Sequence, residues 1–153
     1  MAEKQSGGHS KAQLDRDLRA VLPILSAQEE TDLTDIISQF SIEVAKEPET
    51  GLIMVRACDC FDLEFNLGEV LVTTAEVSCD GNRTHATIMG NNQNKALLAA
   101  AVGAMVNCNL TEALVKIAPI IETAMTRLSI AEAEEGRLTA ATKVNFESMA
   151  EET

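Results

Sequence analysis

The sequence predicts an α+β fold: two N-terminal helices, an antiparallel β-meander of three to four strands, then a buried apolar helix and a long C-terminal helix. Three observations carry that reading. Apolar residues recur at three- and four-residue spacings at both ends of the chain, β-branched residues concentrate between residues 52 and 89, and Asp80-Gly81-Asn82 gives a strong hairpin signal between two such runs. With 153 residues, 46% of them hydrophobic, the chain is long enough for one core.

Each element has its own justification. Residues 1–9 read as a disordered tail and 10–153 as a single domain. Leu14, Leu18, Val21, Leu22 and Leu25 line one face of a first helix, which Pro23 ends or kinks near Leu22. Ser26 and Glu29 have capping-box spacing for a second helix burying Leu33, Ile36, Ile37 and Phe40. Residues 41–45 alternate as a short strand, 47–51 read as a turn in which Gly51 supplies a permissive backbone, and 52–58 form the next strand. A further strand over 68–79 turns at Asp80-Gly81 and pairs back over 83–89. Gly90-Asn91-Asn92 ends the sheet and caps a helix over 95–106 that is apolar on nearly every side, hence buried. Ile117-Ala118-Pro119-Ile120 starts the last helix, with proline in its first turn. Its apolar face continues through Ile121, Met125 and Leu128, fades beyond Ala131, and returns at Val144, Phe146 and Met149.

Charge and composition exclude several functions. Lys plus Arg is 12 and Asp plus Glu is 24, giving a net charge of −12, which repels nucleic acid and anionic membrane surfaces. Aromatic residues are 3%, all Phe, so stacking platforms for bases are nearly absent. No apolar run nears the ~20 residues of a membrane span, and the N-terminus lacks signal-peptide character. A cytoplasmic location with reduced thiols is expected.

Candidate chemistry is sparse. Cys58 and Cys60 share a strand face, and His85 with Cys108 would complete a tetrahedral metal site, but burial of free cysteines is the commoner fate. His85 faces Glu76 across the hairpin as a general-base candidate, although no nucleophile elbow frames Ser78. The acidic clusters Glu29-Glu30 and Glu132 to Glu135 read as solvated faces, and no phosphate loop or dinucleotide fingerprint is present. These residues give an acidic α+β domain with no self-contained active site: no catalytic residue and no metal ligand set is assigned.

Four blocks resemble one family. Pro48-Glu49-Thr50-Gly51-Leu52-Ile53-Met54-Val55-Arg56, the Phe65-Asn66-Leu67-Gly68-Glu69-Val70 run followed by Val72-Thr73, Ile117-Ala118-Pro119-Ile120, and Ala140-Ala141-Thr142-Lys143-Val144-Asn145-Phe146 are similar, in order, to signatures of the PhnG subunit of the bacterial carbon–phosphorus lyase system. The chain departs from the family pattern at Thr74, where Arg is usual, at Asn91-Asn92, where Arg-Asp is usual, and at Gly103 and Glu147. The resemblance implies a hetero-oligomeric core with the H, I and J subunits and an associated L protein. That machinery joins a phosphonate to the ribose of ATP and displaces adenine, and an iron–sulfur radical enzyme among the partners later cuts the C–P bond. It implies a scaffold rather than a catalyst for this chain, with no cofactor of its own. Substrate- or partner-site candidates are Glu49, Thr50, Gly51, Gly68 and Glu69. The alternative is a small acidic client-binding homodimer of the secretion-chaperone kind, and self-association stays open.

Overall fold

The computed structural model describes residues 10–143; the N-terminal tail reading and the Val144, Phe146 and Met149 positions lie outside them. The described chain runs α1 (Lys11–Val21), a 3₁₀ turn (Leu22–Ile24), α2 (Ala27–Ile37), β1 (Ile42–Cys58), β2 (Glu64–Cys79), β3 (Asn82–Met89), α3 (Gln93–Asn107) and α4 (Thr111–Ala141). The strands form one antiparallel sheet in the order β1-β2-β3, and the helices cover one of its faces. The α+β reading holds.

Local chemistry sets most boundaries. Ser10 caps α1 by accepting from the Gln13 N–H, and Pro23 falls in the 3₁₀ turn that ends it. The Ser26–Glu29 capping box is formed in both directions. Asp80 (φ 50°) and Gly81 (φ 78°) make the two-residue turn between β2 and β3, with both central residues left-handed as a type I′ turn requires. Asn92 caps α3 by accepting from the Lys95 N–H at 3.0 Å. From Leu98 through Met105 every α3 residue is buried, with Leu18, Val21, Leu33, Val77, Ile117 and Ile121 packed in the same core. Gly103 lets α3 approach β3, since a Cβ there would stand 3.2 Å from Thr84 Cγ2.

Two proline readings are corrected. Residues 47–51 are not a turn: β1 is continuous over 17 residues, and Pro48 lies in the register shift between Lys46 and Glu49. An outer strand tolerates proline because its missing N–H would have faced away from the ladder, and a bulge absorbs the ring. Gly51 shows no left-handed backbone, so it serves no turn. The last helix likewise begins at Thr111 rather than at 117, and Pro119 sits inside it. An interior proline costs about 3 kcal/mol, but Ala113, Leu114, Ile117, Ile121 and Ala124 anchor the core face on both sides of it. The start of the helix is set by the end of α3, where left-handed Asn109 (φ 55°) reverses the chain and Leu110 N–H donates to the Met105 carbonyl at 2.9 Å.

The bundle is tied by one strong ion pair. Arg127 on α4 grips Glu29 on α2 with two hydrogen bonds, at 2.6 and 2.8 Å. Those bonds, helped by the Ser26 N–H and hydroxyl, hold the Glu29 carboxyl at about 2 against its ordinary 4.5. Because the folded value is the lower one, the stabilisation is present above pH 4.5 and is lost as pH falls toward 2. Arg127 is partly exposed, so solvent screening reduces what the pair contributes. Glu29→Gln is expected to lower Tm at pH 7 by about 3–6 °C. The gap to the parent should narrow below pH 4.5 in a thermal-melt series; a gap independent of pH would contradict this account.

Candidate functional site

Strand lengths differ sharply. β3 has 8 residues, and its last pair is Met89 with Val72, whereas β1 and β2 run on together to the Cys58–Glu64 pair. Residues 52–58 and 64–71 therefore leave the three-stranded sheet as a two-stranded ribbon, on the order of 25 Å long at ~3.4 Å per residue. The turn at its tip is fixed by Asp59, whose carboxylate accepts from the N–H groups of Phe61 and Leu63.

The ribbon is apolar and bare. Eight of the fourteen exposed large hydrophobic residues among those described lie on it, including Leu52 (60% exposed), Leu67 (64%) and Phe61 (79%). Register places Leu52, Leu71 and Met54 on the face continuous with the helix-covered side, and Ile53, Val70 and Val55 on the opposite face. No helix covers either side, as every residue from 52 to 71 is exposed or half-buried. A lone two-stranded hairpin is marginal in water, and a contiguous apolar surface of this kind marks an interaction site.

The five candidate residues fall in two places on this element. Glu49, Thr50 and Gly51 sit at the ribbon's root, opposite Thr74, Thr73 and Val72. Gly68 and Glu69 lie farther out, opposite Val55 and Met54, about four residues along β2. One element carries them all, but at two separate places along it. Gly68 has φ +148° beside the register shift at Val55 and Arg56, a backbone that side chains rarely adopt. Gly51 has open space where a Cβ would go, so neither packing nor backbone conformation within this chain calls for glycine. Glu49 pairs with Lys46 at 2.7 Å, and that bond raises the Lys46 pKa. Both groups are more than half exposed, which makes the pair worth little.

Sequence reasoning missed the hub of the root. Thr73 is fully buried; its hydroxyl donates to the Gly90 carbonyl at 2.7 Å and accepts from the Asn92 N–H at 3.2 Å. Thr50 Oγ1 lies 3.2 Å from it and donates to Asn91 Oδ1 at 3.0 Å, while Thr74 Oγ1 donates to the Glu49 carbonyl at 3.4 Å. Three stretches remote in sequence, 49–51, 72–74 and 90–92, thus meet at the point where β3 ends. A polar residue inside the β-branched run from Val70 to Val77 was the available signal, but only the strand register shows what it touches.

The other candidates do not assemble. Cys58 and Cys60 are exposed at the ribbon tip, whereas Cys108 lies beside Cys79, some 15 residues away along β2, or ~50 Å. Cys58, Cys60, His85 and Cys108, weighed as a tetrahedral set and not assigned, therefore do not come together. His85 stands opposite Glu76, but Glu76 accepts from Arg83 at 3.1 Å. A cleft of about 560 Å³ between α1, β3 and α3 is lined by Arg16, Arg19 and Arg83 among others. Each of these is already engaged, by Gln13, Asp15 and Glu76 respectively.

A comparison with known families decides the membership. The sequence profile described as phosphonate metabolism protein PhnG matches residues 17–151. The chain belongs to the PhnG family. No curated protein matches it. Membership makes the chain a phosphonate metabolism protein, and the blocks at 48–56 and 65–73 that resemble family signatures coincide with the ribbon and its root. Among the described residues of this PhnG-family chain, no helix is long and apolar enough to cross a membrane.

Proposed function

We propose that the chain is a subunit of the carbon–phosphorus lyase core complex, a scaffold whose β1–β2 ribbon docks against partner subunits. The reading rests above all on the ribbon: an apolar hairpin uncovered on both faces, carrying the blocks that resemble the family's signatures. The transfer of a phosphonate to the ribose of ATP, with loss of adenine, is then performed by the partners, the H, I and J subunits with the L protein. This chain supplies no cofactor to that transfer; ATP binds in the complex, and the iron–sulfur cluster belongs to a partner. ATP as co-substrate places the work in the cytoplasm. Glu49, Thr50, Gly51, Gly68 and Glu69 contribute as contact residues and not as reacting groups.

Co-expression of a tagged copy with the I, H and J subunits of the same genome, followed by gel filtration and light scattering, tests the proposal. A stoichiometric complex retaining the I subunit is expected. A homodimer that ignores all three overturns it and leaves the client-binding reading in its place. Gly51→Ile sharpens the test, because a β-branched residue suits an exposed strand with open space above it. The isolated variant is expected to melt within about 2 °C of the parent, while its complex yield falls about tenfold, the loss that ~1.4 kcal/mol of steric conflict produces. Unchanged assembly would show that no partner packs on that stretch of backbone.

A further inference from the structure

The geometry points to a zinc site made by Cys79, Asp80 and Cys108, at the end of the sheet opposite the ribbon. Cys79 closes β2, Asp80 is the first residue of the β2–β3 turn, and Cys108 caps the C-terminus of α3. The Sγ atoms of both cysteines and a carboxylate oxygen of Asp80 lie within 4.8 Å of one another. Backbone constraints hold them there. Asp80 is fixed in its left-handed turn conformation, and Cys108 Sγ donates to the Cys79 carbonyl at 3.3 Å.

Ligands around tetrahedral zinc stand roughly 3.5–3.8 Å apart, given Zn–S near 2.3 Å and Zn–O near 2.0 Å. Closure of this triad therefore needs shifts of about 1 Å. Asp80 is exposed and Cys108 half-buried, so both side chains have room to move and the ion has a route in. Cys79 is fully buried and supplies the fixed anchor. Two thiolates and one carboxylate suit zinc over calcium or magnesium, which take oxygen ligands. Water fills the fourth position. Binding is a proton exchange without electron transfer: the two thiol protons leave to solvent and two Zn–S bonds form. The ion would clamp the end of α3 to the β2–β3 turn, independently of any partner at the ribbon.

The test uses cobalt(II) as a spectroscopic probe on the reduced full chain carrying C58S/C60S, which removes the exposed thiols. One equivalent of cobalt is expected, with a near-ultraviolet thiolate-to-metal band that zinc abolishes. Asp80→Asn preserves the turn, since asparagine tolerates the left-handed conformation, and Cys108→Ser alters a half-buried group. Each variant, shown to be folded by circular dichroism, is expected to bind cobalt at least about tenfold more weakly. No band in the C58S/C60S chain, or undiminished affinity in Cys108→Ser, overturns the assignment.

Discussion

Serine at Leu52, Met54 and Leu67 together is expected to release the chain from the proposed complex while leaving the isolated fold intact. All three side chains stand on the bare ribbon, so none contributes to the core whose loss would unfold the protein. Burying a leucine or methionine in an interface contributes about 1.5–3 kcal/mol. Losing three, with allowance for residual exposure, amounts to roughly 4 kcal/mol or more, a thousandfold or greater rise in Kd. The measurement is titration of the purified triple variant against the remaining subunits, with melting of the variant alone as control. A Tm within about 3 °C of the parent and no detectable complex is the expected pair of results. Retained affinity would show that the partners hold another surface.

The second large effect lies in the core. Leu33 is the one buried residue of α2, and its side chain is wholly enclosed. Leu33→Ala leaves a cavity beneath a helix otherwise held by half-buried neighbours and the Glu29–Arg127 pair. Such deletions cost about 2–5 kcal/mol, which for a chain this size lowers Tm by on the order of 6–15 °C. Differential scanning calorimetry measures it directly. A fall of less than 3 °C would mean that α2 is held chiefly by its ion pair.

The helices and the hairpin were legible because their signals are local. Ser26 and Glu29 lie within one turn, Asp80-Gly81 is a two-residue motif, and the α3 run is apolar whatever surrounds it. Both prolines misled for the same reason: the penalty for proline is local, but its remedy is tertiary. Pro48 is accommodated because β1 is an outer strand, and Pro119 because buried residues lock the helix on both sides. The resemblance to family signatures pointed to 49–51 and 68–69, yet their setting depends on register and on the length of β3. Unbroken apolar runs at 52–55 and 70–72 read the same whether a third strand covers them or stops short. Thr73 was missed on that account, since its partners Gly90 and Asn92 are adjacent only once the sheet is formed.

The two register shifts around Pro48 divide the outer edge of β1 into unlike halves. From Ile42 to Glu49 the edge is broken by shifts between Val44 and Lys46 and between Lys46 and Glu49, and interrupted by a residue without an N–H. Such features keep a free edge from zippering onto another strand. From Gly51 to Val55 the pairing is regular, so the outward N–H and C=O groups keep an unbroken two-residue rhythm. Another chain adding a strand along β1 finds a continuous template only on the ribbon side of Pro48. The fold thus restricts where backbone pairing can begin, and it does so at the same root where Thr50, Thr73 and Asn91 meet.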